Sequence, residues 1–146
     1  ALIYLGEDEV KKYLSLLLVA NLTSDGNNEV ITRSLHRAKF CELLLAKMCK
    51  QGLNDSKAFL TGMMSKINVL LGHELDHVLQ LIPLHPDIKT ALLRTECDRS
   101  RALQLIIALE SNDTEQANFY AKEIGVDKDD IKAVYFASSR WTSTML

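Results

Sequence analysis

The string His73-Glu74-Leu75-Asp76-His77 is the part of this sequence that looks most like chemistry. It fits the HExxH pattern. On a helix, residues four apart share a face, so two imidazoles can hold one zinc ion. The carboxylate between them can then take a proton from zinc-bound water. Such a site needs a third ligand, and Glu96 lies nineteen residues after His77. A metal-dependent hydrolase with His73, His77 and Glu96 as ligands is therefore one reading.

Several features weigh against it. Asp76 puts a charge where the motif helix of such enzymes is buried. Gly72 directly precedes the string, so His73 falls at a helix start, where its geometry is least fixed. Pro83 and Pro86 separate the string from Glu96. Proteases with this motif also hold peptide along a strand edge, and no strand is expected here. The plainer reading is a surface helix start with two solvent-facing histidines.

Other catalytic patterns are missing. There is no GxSxG, no Walker loop and no GxGxxG. None of His36, His73, His77 and His85 is followed by Asp, so the His-Asp pair of HD phosphohydrolases is absent. Asp129-Asp130 suits the first turn of a helix better than catalysis. Tyr135, Phe136 and Trp141 suit a core or an interface. From these absences the chain is expected not to be an enzyme, with no catalytic residue, no metal and no cofactor.

Composition narrows the class. The 146 residues are 47% hydrophobic and 25% charged, with a formal net charge of −2. That balance suits one globular domain and offers no long-range pull on nucleic acid. Arg33, His36, Arg37 and Lys39 lie close together and read as the solvated side of a helix. Cys41, Cys49 and Cys97 show no CxxC spacing. A helix would hold Cys41 and Cys49 roughly 12 Å apart, beyond the about 7 Å that a disulfide spans. Buried free thiols in a reducing cytoplasm are expected. Lys11-Lys12 before residues 13–20 imitates a signal peptide, but Glu7-Asp8-Glu9 is wrong for its basic start. No apolar run approaches the roughly 20 residues of a membrane span. The first residue is Ala1 rather than Met, which suggests a longer parent chain.

These side chains must be positioned by helices. Residues 7–21 follow helical spacing after Gly6. Asn28 can cap a helix over 29–50, with Ile31, Leu35, Ala38, Cys41, Leu45 and Met48 on one face. Asn54 or Asp55 starts another, through Phe59, Met63, Ile67 and Leu70 to near Gly72. A short helix is expected over 74–81. Pro86 fits the first turn of the next, with Ile88, Ala91 and Leu92. Residues 99–109 follow, with Leu103, Ile106 and Ile107 inward. Asp113 starts a helix through Phe119, Tyr120 and Ile124 that Gly125 ends. Residues 127–130 open the last, with Ile131, Val134, Tyr135, Ala137 and Trp141. The expectation is an all-α, compact domain of about eight helices over residues 1–146.

Ordered blocks then carry a resemblance. They are Arg37-Ala38-Lys39-Phe40-Cys41-Glu42, then Ala58-Phe59-Leu60-Thr61-Gly62-Met63-Met64-Ser65. Leu81-Ile82-Pro83-Leu84 with Ile88 and Ala91-Leu92-Leu93 comes next, and Glu110 and the stretch from Tyr135 to Trp141 close the series. In this order the chain resembles the C-terminal part of HDOD domains, as in EAL–HDOD bacterial signalling proteins. The family's N-terminal HDOD helices and EAL domain are missing. The resemblance implies an HD-related helical fold without metal ligands. It implies signal transduction, coupled in the parent protein to an EAL domain that binds or hydrolyses cyclic di-GMP. No EAL motif stands in this sequence, so that catalysis does not carry over.

Arg37 and Glu42 suit ion pairs with neighbouring helices, Gly62 a close helix approach, and Ser65 a hydrogen bond to backbone. Alternatively Arg37, Glu42 and Ser65 line a groove for a partner or ligand. The leading expectation is a non-catalytic, cytoplasmic regulatory domain. Its partners would be proteins or the attached signalling domain, a second copy of the chain included, but neither nucleic acid nor membrane. A small-ligand or nucleotide sensor is the remaining alternative.

Overall fold

A computed structural model of the chain describes residues 28–48, 56–66, 86–93 and 97–145. Among them are six helices: α1 (Asn28–Met48), α2 (Ser56–Met64), α3 (Pro86–Leu92), α4 (Asp98–Glu110), α5 (Thr114–Ile124) and α6 (Lys128–Met145). No strand occurs among the described residues, whose fold is all-helical. The helices expected over 7–21 and 74–81 lie outside the described residues, as do Cys49 and Ile67.

Local signals set several boundaries. Pro86 opens α3, where its missing N–H costs no helical bond. Asp113 caps α5, its Oδ1 accepting from the Gln116 N–H at 3.1 Å. Gly125 ends α5 at φ 76°. Asp129 and Asp130 sit at the positive end of the α6 dipole.

Other boundaries differ from expectation for identifiable reasons. Helix α4 starts one residue early because Cys97 caps it, its Sγ accepting from the Ser100 N–H at 3.4 Å. Cys97 is thus half-buried at a helix end rather than a core thiol; Cys41 is buried. Helix α2 stops at Met64, short of the expected end near Gly72. Ser65 turns its hydroxyl onto the Gly62 carbonyl at 2.7 Å, using an acceptor that a further turn would need. Helix α4 closes through Asn112, which takes the left-handed conformation at φ 57°. The Asp113 and Asn112 N–H groups then reach back to the Ala108 and Leu109 carbonyls. This tight reversal sends α5 back along α4.

Helix α1 is the centre and packs on α2, α4 and α6. Helix α5 rests on α4. The core gathers Phe40, Cys41 and Leu44 from α1, Leu60 and Met64 from α2, Leu105 and Ile106 from α4, and Val134 from α6. Ile107, expected inward, is only half-buried, while Leu105 is buried. The cause is that α4 is covered from several directions, so its apolar surface is wider than one stripe. Ala137 and Phe119 are exposed, against expectation. Helix α5 contributes no fully buried residue and leans on the core only through half-buried side chains such as Tyr120 and Ile124.

Candidate functional site

The site grows from α1. Its helical pitch places Arg33 and Arg37 one turn apart, facing the last turn of α4. The Arg37 guanidinium grips Glu110 as a fork. Its Nε donates to Oε1 at 3.0 Å and Oε2 at 3.1 Å, and its Nη2 donates to Oε1 at 2.7 Å. Its Nη1 donates to Ser65 Oγ at 3.1 Å. One side chain therefore ties α1, the end of α2 and the end of α4. Both charged side chains are almost fully buried, at 8% and 7% exposure.

Gly62 makes the approach of α2 to α1 feasible. A Cβ there would lie 2.7 Å from Ala38 Cα and closer still to the Arg37 carbonyl. No side chain fits that gap without moving backbone. The same small residue thus brings Ser65 within reach of Arg37.

A polar cleft of about 490 Å³ opens beside the tie, between α1, α4 and α6. Arg33, His36, Glu110, Asn112, Tyr135 and Ser139 are among its walls. Arg33 lies 3.9 Å from Glu110 and 3.6 Å from Glu29. His36 donates from Nε2 to the Tyr135 carbonyl at 3.4 Å and meets the Tyr135 ring edge-on at 4.8 Å. Burial pushes the His36 pKa below the usual histidine value. The Arg33 charge adds to this, while the Tyr135 carbonyl and Glu110 oppose it.

Glu42 sits in a different cluster. It is fully buried and bonded to Lys39 Nζ at 2.8 Å. Lys39 also lies 5.2 Å from the centre of the Trp141 ring, which meets Phe59 edge-on. Of the three residues expected to line one groove, the structure joins Arg37 and Ser65 directly, while Glu42 is bonded to Lys39 in the other cluster. His73, His77 and Glu96 lie outside the described residues. Among the described residues, no three His, Cys, Asp or Glu side chains converge as a metal would require.

The reading of Arg33, His36, Arg37 and Lys39 as a solvated face is corrected. Arg37 is buried, and His36 and Lys39 are half-buried. The reason is Glu110, 73 positions away, which compensates the Arg37 charge. Local charge counting has no access to such a partner. Glu110 was visible only as the residue closing the block series. The roles of Arg33, His36 and Tyr135 had no sequence signal beyond the charge cluster and the aromatic run.

No protein-family model matches the chain, and no solved structure gives a significant match. Two curated relatives do match. Cyclic di-GMP phosphodiesterase CdgJ of Vibrio cholerae is 30% identical over 142 residues, covering 97% of this chain and 33% of the relative. Uncharacterized protein YuxH of Bacillus subtilis is 30% identical over 149 residues, covering 100% of this chain and 36% of the relative. The chain thus spans about a third of the length of the curated relatives it matches.

The first relative overturns one expectation. The missing catalytic patterns suggested that the chain is not an enzyme, yet a protein matched along nearly all of it is named a phosphodiesterase. Those patterns were sought in a stretch equal to a third of that protein. Their absence there does not speak for the remainder.

Proposed function

We propose that this chain is a cyclic di-GMP signalling segment, the C-terminal part of an HDOD-like domain within a phosphodiesterase-type protein. The observation that carries the reading is the 30% identity, over 97% of the chain, to a protein named as a cyclic di-GMP phosphodiesterase. The spatial junction supports it. Arg37, Gly62, Ser65 and Glu110 come from three blocks of the HDOD resemblance and meet at one point. In this reading the HD-related fold serves regulation. The tie fixes how α1, α2 and α4 sit, and protein contacts pass that arrangement to an attached EAL domain. Action in the cytoplasm is part of this proposal. Among the described residues no helix is long and apolar enough to cross a membrane.

The test is to express the intact gene product and follow cyclic di-GMP by chromatography. Conversion to the linear dinucleotide is expected. A product that carries no EAL domain and neither binds nor converts cyclic di-GMP would rule the reading out.

The cleft favours a second reading, a small-ligand sensor. It combines a guanidinium, an imidazole and hydroxyls in about 490 Å³, a volume in the range of small-molecule sites. A ligand at a hundred times its Kd stabilises the fold by about 2.7 kcal/mol. Cyclic di-GMP or a mononucleotide should then raise the melting temperature of the wild type but not of Arg33→Ala. Equal melting with and without either nucleotide would dismiss this reading.

A further inference from the structure

Two neighbouring helices carry matched surface stripes. On α5, Glu115, Phe119 and Glu123 recur at every fourth position. On α6, Lys132, Phe136 and Arg140 do the same. Residues four apart share a helix face. All six are exposed. Phe119 is 53% and Phe136 67% exposed, although each ring is braced edge-on by the tyrosine beside it. One stripe reads acid–Phe–acid and the other base–Phe–base, in the same spacing.

Among the described residues, none of the four flanking charges takes part in an ion pair. The intramolecular fold therefore does not use this complementarity. Lys122, Asp129 and Asp130 carry the opposite sign on the same helices, but each lies off the fourth-residue row, and Asp130 pairs with Lys47. Ala133 and Ala137 flank Phe136 and are exposed too, leaving room for a ring to seat beside it.

We propose that a second copy of this chain is the partner. The α5 stripe of one copy packs against the α6 stripe of another. Phe119 and Phe136 stack at the centre, and the glutamates pair with Lys132 and Arg140. Aromatic anchors ringed by paired charges are the usual composition of an interface centre and its rim. The inference is independent of the cyclic di-GMP reading, because it uses none of the cleft or tie residues.

Sedimentation velocity on the full chain tests it. The wild type should self-associate with rising concentration, and less so at high salt. K132E/R140E makes both stripes acidic, and E115K/E123K makes both basic. Each variant alone should associate at least tenfold more weakly than wild type. An equimolar mixture should associate again, because the acidic α6 stripe now faces a basic α5 stripe. Adding F136S to both variants should abolish that recovery, because both α5–α6 contacts in the mixture then lose Phe136. Circular dichroism should match wild type for all variants, since the changed residues are exposed. A wild type that stays monomeric at submillimolar concentration overturns the proposal. So does a mixture that fails to associate, or one whose association survives F136S.

Discussion

Two buried carboxylates share helix α1 as their anchor, and they are held in opposite ways. Glu42 is paired with Lys39, three residues back on the same helix. Glu110 is paired with Arg37, 73 positions away on another helix, in a forked geometry that also recruits Ser65. The first pair lies within α1, and Glu42 has other contacts besides Lys39. The second exists only while α1, α2 and α4 keep their places. A charge pair reports tertiary arrangement only when its partners come from different elements; Arg37–Glu110 is such a pair and is almost fully buried, whereas Lys47–Asp130, which also joins two helices, is exposed.

The largest break in the comparison is Arg37→Ala. It leaves the Glu110 carboxylate buried without its main partner, which costs about 3–5 kcal/mol. Chemical denaturation should show that loss. A change below about 1 kcal/mol would mean that Glu110 is rescued by water or by Arg33. Next comes Gly62→Ala, which forces α2 off α1 and lengthens the Arg37–Ser65 bond; overpacking of this kind costs about 1–3 kcal/mol. Lys39→Ala should cost less than Arg37→Ala, about 1 kcal/mol, because it removes one bond from a carboxylate that has other contacts. Equal losses for Lys39→Ala and Arg37→Ala would erase the distinction between the two pairs.

The smallest effect is a pH dependence. The folded His36 pKa is lowered, so between that value and the unfolded one near 6.5 the unfolded chain binds more protons. The contribution of His36 is complete above the unfolded pKa and is lost as pH falls through that window. His36→Gln should flatten this part of the stability profile, measured by thermal melts across mildly acidic pH.

The same contrast explains what could be read from sequence. Pro86, Asp113 and Gly125 act on their own helices, so the start of α3 and both ends of α5 were legible to within a residue. The Cys97 cap was not, because a thiol is a weak acceptor and an uncommon cap. The face of α1 could be read through Leu35, Ala38, Cys41 and Leu45, which are buried. Burial of Arg37 could not, since it depends on Glu110 across the fold. Helix α2 was expected to run on through Ile67 because its apolar period continues. The Ser65 hydroxyl that turns the chain acts through a bond that periodicity does not register. Phe119 and Phe136 fit a helical period without being buried, and spacing alone does not tell an inner stripe from an outer one.

The most direct test of the account uses the intact gene product with Arg37→Met and Glu110→Leu together. Replacing both charges by apolar groups of similar size removes the forked tie without leaving a lone charge, so the fold should survive. If the tie sets the state passed to the attached domain, the melting temperature stays near wild type while the rate of cyclic di-GMP conversion shifts severalfold. A folded double variant that converts cyclic di-GMP at the wild-type rate would contradict it.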